Sequence, residues 1–469
     1  MQSDRLLIRG GIVVSVDPDI GDLWEGDVLI EGRDIVAVGP GIEAGDAEVI
    51  DATDCIVMPG FVDTHRHTWQ APLRNIASDW SLFNYFAGLH FGLSGHFRPE
   101  DTYAGNYLGA LEAVDAGITT LLDWSHNLKT PQHADAAVQA LQDVGGRVVF
   151  AHGSGAKEWA VVPPNEFPHQ EDARRVRDEH FSSDDQLVTM ALAVRGPHYT
   201  VRDVCIHDWK LARELGLRIS VHVGDGALGR DGSLRWLSAE GLLADDTTYV
   251  HCNTLADDEL ALIAESGGTA SVAADVEMQM GHGFPATGRL LDVGIRPSLS
   301  IDVCTSTGGS MFSLMRTALG MQRALDNKAA DEAGLVLGGE PPRVSCRDMI
   351  EFATIEGARA CGLEDKVGSL TPGKQADVVV IRADTVGMFP VNNPVGSLVY
   401  NAHIGLVDTV VVAGRIIKAG GVLLDDRAQR ARRLAEQTRE YLLAEALKDP
   451  RISDIALGGK WMPELEPAA

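Results

Sequence analysis

No stretch of this sequence approaches the roughly 18 consecutive apolar residues that a membrane-spanning helix needs, so no membrane partner is expected. Cations are scarce as well. Forty Lys and Arg face 67 Asp and Glu, a formal net charge of −27 over 469 residues. A surface of that sign repels phosphate backbones and anionic lipids, which excludes nucleic acid as a partner. Cysteine is sparse: Cys55, Cys205, Cys252, Cys304, Cys346 and Cys361 lie far apart, with no CxxC among them. That scatter excludes a disulfide framework or a zinc knuckle and fits a reducing compartment. The opening "MQSDRLLIRGGIVVSV" carries Asp4 and only a short apolar core, unlike a signal peptide, so a cytoplasmic location is expected. What the chain does have is 45% hydrophobic residues, enough to fill one large barrel and an accessory unit.

Both ends of the sequence read as β-structure. "LLIRGGIVVSV", "DVLIEGRDIVAVG" and "AEVIDATDCIVM" at the start, and "ADVVVIRA" with "VDTVVVAGRIIKAGGVLL" near the end, are β-branched runs broken by Gly and Asp. Open sheet edges are a liability, so the two ends are expected to pair with each other. Residues 1–57 and 363–425 then form a small discontinuous β-sandwich domain around a core of residues 58–362. Residues 426–469 form a C-terminal helix and tail. Leu434, Tyr441, Leu442 and Leu447 give that helix an apolar face for packing.

The core alternates short apolar runs with helical stretches such as "RDVCIHDWKLARELG". The runs are "IVMPGFVDTH", "GITTLLDW", "RVVFAHG", "LVTMALAVRG", "LRISVHVGD", "TTYVHC", "GTASVAAD" and "IRPSLSID". Strand and helix in alternation imply a parallel sheet, and eight such units predict a (β/α)8 barrel of the TIM type. Catalytic groups of this fold stand at the C-terminal ends of the strands. His65 and His67 end the first run, His222 the fifth with Asp225 three residues on, His251 the sixth and Asp302 the eighth. Residues i and i+2 of a strand share a face, so both imidazoles of His65-x-His67 can aim at one ion. Histidines with a carboxylate suit a divalent ion, zinc first and iron second.

With these words the chain resembles the amidohydrolase superfamily, in its branch of metal-dependent deaminases and triazine hydrolases. The matching motifs are "MPGFVDTHRH", "ISVHVGD", "YVHCNTLADDELALIAESGGTASV", "SLSID", "GSLTPGKQADVVVI" and "VVVAGRII", in order over almost the whole chain. The resemblance implies that His65, His67, His222 and Asp302 are metal ligands, that His251 polarises substrate or water, and that Asp225 is the proton shuttle. Many relatives with two metals carry a lysine at the end of the fourth strand. "LVTMALAVRG" has none, so a single ion is implied. The branch usually has glutamate where this chain has the shorter Asp225.

The implied reaction is hydrolytic deamination of a small nitrogen heterocycle. Water activated by the ion attacks an electron-poor ring carbon, and Asp302 or Asp225 takes its proton. Asp225 then delivers a proton to the ring nitrogen or leaving group while His251 steadies the developing charge, and ammonia leaves. Displacement of an alkylamine or halide, or opening of a cyclic amide, would use the same residues, and a non-catalytic scaffold is the reading from another class. Trp69 and Gln70 are placed to stack on and hydrogen-bond a flat ring. His198 in "RGPHYT" is a candidate substrate contact, with loop capping as its alternative. Glu277 and His282 in "DVEMQMGHG" are candidates to recognise an amino or ring N–H group. Arg195 is expected in a structural salt bridge, and Trp124 and His126 near the cavity. The resemblance also implies a homodimer or larger homo-oligomer.

Overall fold

The computed structural model describes residues 4–155 and 164–448, so residues 449–469 of the expected tail lie outside them. Eight parallel strands form one sheet in chain order: β6 (Phe61–Arg66), β7 (Ile118–Ser125), β8 (Arg147–His152), β9 (Val188–Val194), β10 (Ile219–Val223), β11 (Thr247–His251), β12 (Thr269–Val272) and β13 (Ser298–Leu299). Helices connect them on the outside. Pro131–Val144 shows why: Pro131 opens its first turn, Gly145 stops it at φ +78°, and Ala134, Ala137, Val138, Leu141 and Val144 form its buried stripe.

The barrel closes where the first strand meets the end of the last. Asp302 donates its N–H to the His65 carbonyl and accepts from the His67 N–H, each at 2.8 Å. Asp63 braces this seam, accepting from Ile301 N (3.0 Å) and from Arg66 Nε (2.9 Å). The seam thereby delivers His65, His67 and Asp302 to one spot.

The stretch "IVMPGFVDTH" is two strands rather than one. Cys55–Pro59 (β5) belongs to the small sheet and Phe61 onward to the barrel. Gly60 is the break. A Cβ there would sit 2.1 Å from Thr119 Oγ1, so only glycine lets the chain cross between the two.

The second sheet has nine strands and draws on both ends of the chain. From the start come β1 (Arg5–Val14), β2 (Asp22–Glu31), β3 (Asp34–Gly39), β4 (Glu48–Asp51) and β5. From the end come β14 (Val378–Arg382), β15 (Val407–Val412), β16 (Arg415–Ala419) and β17 (Val422–Leu423). The antiparallel pairing of β14 with β5, Val378 opposite Pro59, joins the halves and covers both edges. Arg147 at the start of β8 ties this sheet to the barrel, donating to both Asp377 oxygens (3.0 and 2.9 Å) with both side chains buried. Arg147→Ala leaves Asp377 buried with only the Ala413 N–H for company. It is expected to cost about 3–5 kcal/mol, read as a lower urea midpoint; an unchanged midpoint would contradict the tie.

The C-terminal helix, Arg427–Ala446, packs through Leu434, Tyr441 and Leu442 of its expected apolar face, whereas Leu447, just past its end, is 62% exposed. Leu442 is buried, and the Arg98 guanidinium stands 3.7 Å from the centre of the Tyr441 ring. The helix backs a segment, residues 68–97, of short helical turns that roofs the open end of the barrel. Among the described residues, no helix is long and apolar enough to cross a membrane.

Candidate metal centre

The five side chains singled out at the strand ends converge. Ligand atoms of His65, His67 and Asp302 lie within 4.8 Å of one another, and so do those of His65, His222 and His251. Nε2 of His65 and Nε2 of His67 each stand 3.3 Å from Asp302 Oδ1. His67 is aimed from behind: its Nδ1 lies 3.0 Å from the Trp124 carbonyl, so that nitrogen carries the proton and Nε2 keeps its lone pair for the centre. His251 and Asp302 have φ of +79° and +62°, the left-handed region that residues other than glycine seldom occupy. Strain of this kind persists where surrounding structure enforces it, and it gathers at functional sites.

The electrostatics keep the nitrogens available. Burial pushes the imidazoles of His67 and His222 well below their ordinary pKa, and neighbouring His65 pushes the same way. Burial also lowers His65. Burial by itself would raise the Asp302 carboxyl, but the imidazoles of His65, His251 and His67 hold it well below the carboxylate range. His65 Nδ1 is buried and has no hydrogen-bond partner among the described residues. Neutral imidazoles around one ionised carboxylate, all largely buried, form a donor set that fits a divalent ion such as zinc.

Around this centre stand three further groups. Asp225 is 2% exposed, so it is no solvated loop acid; its Oδ2 accepts from the Tyr199 hydroxyl, and its Oδ1 is buried with no hydrogen-bond partner among the described residues. His251 has Nδ1 3.2 Å from Glu277 Oε1 and Nε2 3.8 Å from Asp302 Oδ2. Burial would lower its pKa, but the Glu277 bond and the Asp302 charge raise it overall. His282 packs its ring 4.6 Å from that of His251, and burial lowers its pKa to about 4. Neither of its nitrogens has a hydrogen-bond partner among the described residues.

These groups line a cavity of about 30 Å³, the room of a water or two. His67, His222, Asp225, His251, His282 and Asp302 form its floor and walls, together with His126 and Tyr199. Leu82, Tyr85, Phe86 and His90 of the 68–97 segment close the top.

Four of the expected substrate contacts stand behind this wall instead. Trp69 does not face the cavity: a helical turn at Thr68–Leu73 swings it away, its Nε1 donates to His126 Nδ1 (3.3 Å), and its ring packs edge-on against Phe97. Gln70, in the same turn, is spent on Tyr85 Oη (2.5 Å) and Thr305 Oγ1 (3.3 Å). His198 takes the capping role, with Nε2 accepting from Gly224 N–H (3.1 Å) and Nδ1 3.2 Å from Asp231 Oδ2. Glu277 orients His251 and accepts from Ala273 N–H (2.8 Å), both at Oε1; it does not line the cavity, and its Oε2 is buried with no hydrogen-bond partner among the described residues. Arg195 donates to the Asn165 side chain and the Phe167 carbonyl. Tyr85, Phe86, His90 and Tyr199 were not singled out, although the aromatic stretch "DWSLFNYFAGLHFGLSGHF" was a visible signal for the first three.

Comparison with known proteins agrees with this geometry. The chain is 28% identical over 436 residues to the 5'-deoxyadenosine deaminase of Methanothermobacter thermautotrophicus, covering 90% of this chain and 95% of the relative. It is 29% identical over 430 residues to the 5-methylthioadenosine/S-adenosylhomocysteine deaminase of Symbiobacterium thermophilum, covering 88% and 93%. In fold it is similar to a zinc-bound adenosine deaminase from Xanthomonas campestris (TM-score 0.78, 24% identity, covering 93% of this chain and 98% of that one). It is likewise similar to the atrazine chlorohydrolase of Arthrobacter aurescens complexed with zinc (TM-score 0.80, 21% identity, 92% and 100%). Residues 56–417 match the amidohydrolase family, and on that match, which takes in the whole barrel together with β14, β15 and parts of β5 and β16 of the second sheet, this chain belongs to the amidohydrolase family.

Proposed function

We propose that this protein is a metal-dependent aminohydrolase that removes the amino group from the adenine ring of a small nucleoside such as 5'-deoxyadenosine. The observation that carries the reading is the convergence of ligand atoms from His65, His67, His222, His251 and Asp302 beside a cavity that Asp225 helps to line. The names of the two curated relatives point to the substrate class. His65, His67, His222 and Asp302 would hold one divalent ion, zinc before iron, and such an ion supplies water of pKa about 7 for attack on carbon.

The other residues act on the substrate. Asp225 has one oxygen engaged by Tyr199 and the other open, and with the open one it carries a proton to the ring nitrogen next to the carbon under attack. His251, held at Nδ1 by Glu277, presents Nε2 to the charge that builds on that carbon's substituent. His282, neutral and buried, is the remaining ring N–H contact. Pockets for drug-sized ligands run to about 300–1,000 Å³. A nucleoside therefore enters when the 68–97 segment lifts Leu82, Tyr85, Phe86 and His90 away, and their return excludes water.

An ammonia-release screen of the metal-loaded protein tests the reading, run over adenine nucleosides, other aminated purines, pyrimidines, pterins and triazines. Ammonia from adenine nucleosides, in preference to the other rings, is the expected result. Release of chloride or alkylamine from triazines, with no ammonia from any ring, would replace this reading with a displacement reaction at the same centre.

A further inference from the structure

We propose that Tyr199 is a positioning residue for Asp225: its hydroxyl engages one carboxylate oxygen so that the other is presented to the substrate. The Tyr199 O–H donates to Asp225 Oδ2, both residues line the cavity, and Asp225 Oδ1 is the buried oxygen without a hydrogen-bond partner among the described residues. Rotation about the last bond of an aspartate is broad and nearly two-fold, so nothing intrinsic to the side chain selects which oxygen faces the substrate or at what tilt. A single strong donor on one side does select it.

The two residues are held in mutual register by their backbones. Tyr199 N–H is 3.2 Å from the Gly196 carbonyl in the turn after β9, and the adjacent His198 accepts from Gly224 N–H in the turn that carries Asp225. His198 thus binds the two turns together and fixes the distance across which the hydroxyl meets the carboxylate. Burial, with the Asp225 charge beside it, pushes the Tyr199 phenol well above its ordinary pKa, so it is a donor at neutral pH. Aspartate is a short arm, with one methylene between backbone and carboxyl. A misplacement of about 1 Å at a reacting group costs on the order of 100-fold in rate, so fixing the tilt of so short an arm is a kinetic matter.

The test is a double-mutant cycle on the metal-loaded enzyme with Y199F, D225N and Y199F/D225N. In the wild-type background Y199F is expected to lower kcat by about 10–100-fold with KM within about threefold. In the D225N background the same change is expected to have almost no effect, because Tyr199 acts through the carboxylate. Equal fractional losses in both backgrounds, or a rise in KM at constant kcat, would overturn the proposal.

Crystal structures of metal-loaded wild type and Y199F give a readout independent of turnover. The Asp225 carboxylate is expected to turn or split between orientations in Y199F, and an unmoved carboxylate would overturn the proposal. The kinetic arm rests on the deaminase reading for its substrate: a wild type that releases no ammonia defeats that reading, while the Asp225 orientation still decides this one. Should Y199F fold poorly with its carboxylate left unpartnered, the comparison of Y199F/D225N with D225N and the orientation of residue 225 in both carry the test.

Discussion

Asp225→Asn is expected to lower kcat by about 10²–10⁴-fold, the range that a positioned general acid or base contributes, while metal content and thermal stability stay close to wild type. Asparagine has the shape of aspartate and still offers Tyr199 an oxygen, so the cavity and its hydrogen bond survive. What is lost is the ability to take up and release a proton at Oδ1. The position is 2% exposed and belongs to the cavity wall, so no bulk solvent stands ready to substitute. Steady-state ammonia release with elemental analysis of the same preparation decides it, and a loss below about threefold would remove Asp225 from the chemistry.

His67→Ala is expected to abolish metal binding and activity together and to leave the barrel folded. The loss of an outer-shell partner alone costs about 10–100-fold in metal affinity or activity, and a lost ligand costs at least the upper end of that. The fold should tolerate the change because the seam at this point is built from main chain: the His67 N–H bonds the Asp302 carbonyl whatever the side chain. The His67 ring itself touches other imidazoles, with ring centres 4.6 Å from His65 and 4.1 Å from His126, and bonds the Trp124 carbonyl. Circular dichroism should be unchanged while metal per chain falls. A variant that keeps its metal would strike His67 from the ligand set.

Much of this centre was legible in the sequence, and the reason is periodicity. Strand residues alternate faces, so His65 and His67 had to point the same way, and strand-then-helix alternation placed His222, His251 and Asp302 at the same mouth. The failures fall where the chain leaves regular structure. Trp69 and Gln70 follow closely on the strand, but the turn at Thr68–Leu73 obeys no period of two and turns both away from the cavity. His198 and Glu277 were correctly placed near the mouth; the direction of each side chain was set by partners more than 20 residues away, Gly224 and His251. The roof over the cavity was missed because its helical turns are too short for an apolar repeat to form. The strand break at Gly60 was signalled only by the Pro59-Gly60 pair within an otherwise apolar run, and the close approach of Thr119 requires glycine there.

The most direct test of the metal-centred account is to strip the protein with a chelator and titrate zinc back while recording ammonia release from 5'-deoxyadenosine. Stripped protein is expected to show no activity, with a linear return that saturates at one ion per chain. Stripped protein that still releases ammonia at the original rate would contradict it.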